Sequence, residues 1–355
     1  MPQPFFSIGI TTYDRHDLLK EALDSILAQS FSDFEVIVGN DYQAEVLTSE
    51  MFGIKDSRVR FVNHPHNLRE IGNMNALLDT ASGRYFTWLF DDDLYEPGFF
   101  QAAYDVLSTT AFPPVLFPSY RVVKTYEVSL SDNISCKKIE MFTGKEYLHR
   151  YFAGRLKIIS TCGFFDIQAL RSTVGGMKKL SSSKIGLYSE FLLLVQSALF
   201  DRIAYMDAPF AIFRAHSGSW SEANVELKTY LEAGQELISQ CAAVLRKQPL
   251  SQDFEFNLRG VCKMHLYPFA LKAAAFEFTQ NGFGILSVYR TLSELKKETS
   301  RIRKLYIAET GDKGYHSRLF FLVTHIKTVY IALHALELTW VKQFKSRNPG
   351  ACAKN

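Results

Sequence analysis

Cysteine is scarce and scattered in this chain. The 355 residues hold five, Cys136, Cys162, Cys241, Cys262 and Cys352, with no CxxC pair. That spacing excludes a disulfide framework and a cysteine zinc site, and it fits a reducing compartment. Glycine is missing where several nucleotide-binding folds need it. The stretch "TTYDRHD" (11–17), after the first apolar run, contains none, which removes the GxGxxG turn of a nicotinamide-dependent dehydrogenase. No GxxxxGK[ST] occurs, so a P-loop enzyme is excluded too. A haloacid-type phosphatase needs paired aspartates in the turn directly after strand one, where Asp14 stands alone. A nucleotidyltransferase needs a glycine-rich loop followed by a basic residue there. An excess of one charge is also lacking: 40 Lys and Arg face 37 Asp and Glu, a net +3, too little to imply nucleic acid. The opening "MPQPFFSIGITTYDRHD" has no basic segment followed by a long apolar one, and no run of 18 uncharged apolar residues follows. The expectation is a cytoplasmic chain without signal peptide or spanning helix.

What is present is a 47% hydrophobic, 22% charged composition, ordinary for a folded protein with one large domain or two smaller ones. The first 120 residues alternate between two periods. Strands are expected at "FFSIGITT" (5–12), "FEVIVG" (34–39), "RVRFVN" (58–63), "RYFTWLF" (84–90) and "PVLFPSY" (114–120). Between them, the stripe Leu18, Leu19, Ala22, Leu23, Ile26 and Leu27 predicts an amphipathic helix. A second helix is expected near 71–82, stopped by Gly83 in a left-handed cap, and a third at 97–108 with Pro97 at its start. Alternating strand and helix predicts an α/β fold, a mostly parallel sheet covered on both faces. Later patterns, "SEFLLLVQSALF" (189–200), "VELKTYLEAGQELISQCAAVLRKQ" (225–248) and "HLYPFALKAAAFEFTQNG" (265–282), read as helices, and 202–221 as a strand leading into a polar loop. The expected division is 1–222 for a catalytic domain and 223–355 for an all-helical C-terminal region.

Such sheets bind ligands at the carboxyl ends of their strands, and the polar signals fall there. "TTYDR" follows strand one, "ND" strand two, and Asp91, Asp92 and Asp93 follow strand four within "TWLFDDDLYEPG" (87–98). A solvated acidic turn is the plain alternative. The convergence of three loops on one rim favours a site where carboxylates hold Mg2+ or Mn2+, hard cations that bind through one or two carboxylates plus phosphate oxygens.

These segments, "SIGITTYDRHDLLKEALDSILAQSFSDFEVIVGND" and "NLREIGNMNALLDTASGRYFTWLFDDDLYEPGFF", resemble the N-terminal half of family 2 glycosyltransferases with the A-type nucleotide-diphospho-sugar transferase fold. The likeness runs from about residue 5 to about residue 105 and returns at 163–221. It implies that Thr11, Thr12, Tyr13 and Arg15 line a nucleotide pocket, and that Asp41 hydrogen-bonds the base; many members have two aspartates there, and this chain has Asn40 then Asp41. The triple aspartate matches the family's DxD element. Counting D-x-D assigns Asp91 and Asp93, whereas anchoring on Pro97 assigns Asp92. Asp91 is expected toward the nucleotide, and Asp92 or Asp93 as direct metal ligand. Within "GGMKKLSSSKIGLYSEFLLLVQ" (175–196), Ser189 and Glu190 occupy the family's "ED" pair, so Glu190 is the implied catalytic base, with its partner acid lost. "FRAHSGSWS" (213–221) resembles the closing segment, giving Arg214 and Ser217 to the diphosphate and His216 to the metal. "NLREIGNMN" (67–75) adds Arg69 at the diphosphate and Asn75 at the nucleotide.

The implied activity is inverting transfer of a sugar from a nucleotide-diphosphate donor, a UDP-sugar, to a glycan or lipid-linked saccharide (EC 2.4 class), with Mn2+ or Mg2+ as cofactor. The alternative is a catalytically degenerate nucleotide-sugar-binding or scaffold protein, kept open by the changes at 189 and 190. In "HSRLFFLVTHIKTVYIALHALELTWVKQFKSR" (316–347), Arg318, Lys327, Lys342, Lys345 and Arg347 outnumber Glu337. A basic, aromatic helix of this kind suits peripheral contact with the inner face of a membrane; a packing face or a homo-oligomer contact is the competing use.

Overall fold

The computed structural model describes residues 3–131, 133–215, 226–282 and 284–347, with side chains described as far as 338. The chain divides into two compact units, Met1–Ala223 and Asn224–Asn355.

In the first unit the described strands form one nine-stranded sheet. They are β1 (Phe6–Thr12), β2 (Phe34–Asn40), β3 (Val59–Asn63), β4 (Tyr85–Phe90), β5 (Leu94–Tyr95), β6 (Val115–Val123), β7 (Ile139–Phe142), β8 (Phe164–Asp166) and β9 (Ile203–Arg214). The order is β3-β2-β1-β4-β8-β6-β9-β5, with β7 also on β9. The β3-β2-β1-β4 half is parallel, as expected. Beyond it, β8 runs antiparallel to β4 and β6, while β9 is parallel to β6 and antiparallel to β5 and β7. The helices of this unit are α1 (His16–Leu27), α2 (Arg69–Thr80), α3 (Phe99–Thr109), α4 (Gly144–Phe152), the single turn α5 (Ile167–Ala169) and α6 (Ser189–Gln196).

Side-chain alternation in β1 decides which helix covers which face. Phe6, Ile8 and Ile10 join Leu19, Ala22, Leu23 and Ile26 of α1 and Phe99, Phe100 and Ala103 of α3 in one core. Each buried Leu, Ile or Phe among them contributes about 1.5–3 kcal/mol when removed from water. Helix α2 approaches the sheet so closely that a Cβ at Gly39 would meet Asn73 Oδ1 at 2.0 Å. Asn73 fixes that approach: its Nδ2 donates to the Gly39 carbonyl (2.8 Å), and its Oδ1 pairs with His64 Nε2 (3.0 Å). Register then brings the strand ends level. Thr11 lies opposite Gly39 and Phe90, Thr12 opposite Asn40, and Asn40 opposite Asn63.

Two local expectations fail. Helix α2 ends at Thr80, with Ala81 already extended, and Gly83 is not a left-handed cap. It lies against β1, where its N–H donates to Ser7 Oγ at 2.8 Å and an added Cβ would meet that oxygen at 2.6 Å. Pro97 does not open α3, which starts at Phe99; Gly98, in the left-handed region (φ 75°), precedes it.

The second unit consists, in its described residues, of α7 (Leu227–Leu245), α8 (Phe254–Asn281), α9 (Ile285–Thr310) and α10 (Tyr315–Arg347), with α8 packed against the other three. Inside it, buried His265 pairs with Glu298 at 2.6 Å, and Arg301 closes on the same carboxylate. By length and composition, Tyr315–Leu338 could cross a membrane; Arg318, Lys327 and Glu337 interrupt it without excluding a span.

Candidate active site

The site is built on the rim where β1, β2 and β4 end. The loop after β1 turns through Asp14 in the left-handed region (φ 54°) and returns as α1, which places Arg15 over the aspartates. Thr12 Oγ1 donates to Asp91 Oδ2 (2.8 Å), while Arg15 Nη1 reaches Asp91 Oδ1 (3.2 Å) and Asp92 Oδ2 (2.9 Å). Burial pushes the Asp91 carboxyl up to about 6; Arg15 pulls against this, and Asp92 adds to it. After β4 the chain folds tightly, the Asp93 N–H donating to the Phe90 carbonyl at 3.1 Å. Strand β5 then pairs with β9, Leu94 opposite Ile212. That pairing brings the Arg214 N–H to Asp93 Oδ1 at 3.0 Å. Asp93 is driven well above the usual carboxylate range by burial first, then by Asp92, with Glu190 adding.

At the end of β2, Asp41 lies beside Thr12, whose carbonyl accepts the Asp41 N–H at 3.1 Å. Its carboxylate accepts the Leu68 N–H at 2.6 Å and so holds the start of α2. Burial raises its pKa, against the N–H groups of Leu68 and Arg69. Asn40 is buried and structural: Nδ2 donates to the Glu45 carbonyl and to Asn63 Oδ1, both at 2.8 Å. An aspartate could not make those two donations. Tyr13 and Tyr42 meet edge to face at 5.2 Å above this corner.

Glu190 sits in the first turn of α6. The preceding turn passes through Gly175 and Gly176, both left-handed, and then Tyr188, left-handed at φ 61°. Ser189 Oγ fixes the helix start on the Lys178 carbonyl at 2.6 Å. Burial raises the Glu190 carboxyl to about 8, with Glu70 the next cause.

The structure therefore brings Thr12, Arg15, Asp41, Asp91, Asp92, Asp93 and Glu190 to one region. Arg214 is there as well, with its guanidinium turned to Glu21 and to the Asp92 carbonyl. Arg69 is exposed at the start of α2, in the left-handed region (φ 61°). Asn75 points elsewhere: its amide clasps Met177, donating to the carbonyl (3.0 Å) and accepting the N–H (2.8 Å). It thus ties α2 to the glycine turn. His216 and Ser217 lie outside the described residues. One acid escaped the sequence reading. Glu70, beside Arg69 in the quoted polar run, is packed against the Glu190 loop and feels both Glu190 and Asp92. Its only signal in the sequence was an acid in the first turn of a helix whose start faces the rim.

The rim concentrates six carboxyl groups, Glu70 included, answered in part by Arg15 and by the Arg214 N–H. Among the described residues, no group of three or more His, Cys, Asp or Glu is arranged to hold a metal ion by itself. The donor set on offer is carboxylate oxygen in negative surroundings. That fits a hard cation completing its shell with phosphate oxygens.

A parallel half-sheet carrying these carboxylates, followed by a mixed half and a helical unit, is the A-type architecture of nucleotide-diphospho-sugar transferases. Over 94% of this chain and 90% of the other, it superposes on S. aureus TarS 1–349, solved in complex with UDP-GlcNAc, with a TM-score of 0.60 at 15% identity. Residues 7–166, just under half of the chain, match the model of Glycosyl transferase family 2. One similar protein is the GalNAc(5)-diNAcBac-PP-undecaprenol beta-1,3-glucosyltransferase of Campylobacter jejuni. It is 37% identical over 93 residues, 25% of this chain and 30% of that protein. Another is the putative colanic acid biosynthesis glycosyl transferase WcaA of Escherichia coli, 30% identical over 96 residues, 26% of this chain and 34% of that one. These matches span about a third of each relative's length.

Proposed function

We propose that this protein is an inverting glycosyltransferase that moves a sugar from a nucleotide-diphosphate donor, a UDP-sugar, to a hydroxyl of a glycan or lipid-linked saccharide. The observation that carries this reading is the meeting of Asp41 and the triple aspartate, at the ends of parallel strands, with Glu190 at the start of α6. TarS holding UDP-GlcNAc supports a uridine donor, and the undecaprenol-linked substrate in the C. jejuni relative's name supports a lipid-linked acceptor.

Asp41 and the loop Thr11–Arg15 bind the nucleoside, with Tyr13 and Tyr42 flanking the base. Asp92 and Asp93, with His216, would hold Mn2+ or Mg2+, which when bound neutralises the leaving diphosphate. We assign Arg69, Arg214 and Ser217 to that diphosphate. Glu190 Oε takes the proton of the acceptor hydroxyl as the oxygen attacks the anomeric carbon. The bond from that carbon to the phosphate oxygen breaks, and the nucleoside diphosphate leaves on the opposite face. A base raised to about 8 is well matched to a hydroxyl proton. In the helical unit, α10 exposes Leu319, Leu322, Val323, Ile326, Tyr330 and Leu333. We assign this stripe to peripheral contact with the inner face of the membrane, where a lipid-linked acceptor lies.

The test is thermal stabilisation by UDP, GDP and dTDP with and without Mn2+, paired with a donor screen for transfer. Asp92→Ala and Asp93→Ala should abolish metal-dependent stabilisation. Glu190→Gln should keep it and lose about 100-fold or more in transfer. Wild-type transfer by Glu190→Gln refutes the base assignment. Stabilisation without turnover, equal in Glu190→Gln and wild type, identifies a binding protein instead.

A further inference from the structure

We infer that Glu70 is a positioning residue for Glu190, clamping the loop that delivers the base through a hydrogen bond to the Gly186 N–H. This rests on the reading of Glu190 as the base. Glu70 Oε2 accepts the Gly186 N–H at 3.0 Å across a partly buried contact between α2 and the loop before α6. The loop lies directly on the helix: a Cβ at Gly186 would meet Ile71 Cδ1 at 2.5 Å and Glu70 Oε1 at 3.1 Å. From Gly186 the support passes to the base in one step, because its carbonyl accepts the Ser189 N–H at 3.1 Å. Tyr188 between them is held left-handed, at φ 61°. A non-glycine residue in that region persists only where its surroundings over-determine it. Two bonds supply the restraint, Glu70 to Gly186 and Ser189 to Lys178.

The helix that carries Glu70 is itself anchored at the donor end of the site. Asp41 Oδ1 accepts the Leu68 N–H at 2.6 Å, two residues before Glu70. The first turn of α2 therefore spans from the nucleotide-binding corner to the base. Without the clamp, the Glu190 carboxyl can shift relative to a bound donor while the donor's own contacts stay intact. Misplacement of a reacting group by about 1 Å costs on the order of 100-fold in rate.

The experiment compares Glu70→Ala, Glu70→Asp and Glu70→Gln in full-length protein, measuring kcat, donor KM and UDP–Mn2+ stabilisation. Glu70→Gln keeps an oxygen that reaches Gly186, whereas Glu70→Asp keeps the charge but is one methylene too short. The expected pattern is a loss in kcat on the order of 10–100-fold for Ala and Asp, with donor KM and nucleotide stabilisation as in wild type. Gln should be rescued to near the wild-type rate. If Asp retains activity and Gln loses it, the carboxylate acts through charge and the positioning role is overturned. A rise in donor KM with kcat unchanged overturns it as well, since Glu70 would then belong to donor binding. Should Glu70→Ala fail to fold, the Asp and Gln pair decides. A Glu190→Gln control separates the two claims. Wild-type transfer in that control sinks the base reading, whereas a dead control beside a fully active Glu70→Asp sinks only the clamp.

Discussion

Replacing Asn40 with aspartate restores the acid that many family members carry at this position, and the structure predicts that it damages this protein. Asn40 Nδ2 donates to the Glu45 carbonyl and to Asn63 Oδ1, both at 2.8 Å, while its Oδ1 accepts the Tyr42 N–H at 3.0 Å. Asn40→Asp preserves the last bond and turns the first two into oxygen facing oxygen. Asn63 cannot flip to compensate: its Oδ1 accepts the Leu47 N–H (2.8 Å) and its Nδ2 donates to the Leu47 carbonyl (3.0 Å). Two lost bonds at about 1 kcal/mol each, plus acceptors left unpaired in a buried site, give a loss of roughly 2–5 kcal/mol. That is a large part of a typical stability of about 5–15 kcal/mol. Chemical denaturation of Asn40→Asp against wild type measures it. The sign of its pH dependence follows from the geometry. The introduced carboxyl faces acceptors, so its folded pKa lies above the unfolded value of about 3.9. The deficit is then smallest at low pH, where the protonated acid regains one donor, and grows as pH rises through the folded pKa. A loss below about 1 kcal/mol at neutral pH, or a deficit that grows as pH falls, refutes the reasoning.

Two further outcomes are expected. Because Glu190 is raised to about 8 by burial and then by Glu70, and a base works only when deprotonated, kcat/KM should fall as pH drops through that value. Added Mn2+ should move the limb to lower pH, and a profile flat from about pH 6 to about pH 9 counts against the assignment. On α10, Ile326 and Tyr330 are 60% and 68% exposed, so Ile326→Asp/Tyr330→Asp should abolish co-sedimentation with anionic phosphatidylglycerol vesicles. Unchanged sedimentation overturns the membrane assignment, and a changed oligomeric mass with no vesicle binding in either form assigns the face to self-association.

How much of this was legible in the sequence varies by element. The parallel half-sheet was, because each strand is a short apolar run closed by a polar loop, and such signals are local. The rim followed from the same pattern, since successive parallel strands present their carboxyl ends on one side. Between about 120 and 188 no regular element was readable. Strands β7 and β8 have four and three residues, too few for periodicity, and they exist only because β4, β6 and β9 offer edges to pair with. Gly83 shows the same limit on a small scale. A glycine after a helix suggests a cap, but its contact with Ser7 depends on a strand far away in the chain.

The sequence by itself determined the fold class and the rim through composition and period, while Glu190 was named only by the family resemblance. Only the tertiary structure decided the partners of these acids. Arg15 on Asp91 and Asp92, the Arg214 N–H on Asp93, and Glu70 on the Gly186 N–H join segments separated widely along the chain. Burial raised the Asp91, Asp93 and Glu190 carboxyls, since the cost of an ion depends on what surrounds it in space rather than on its neighbours in sequence.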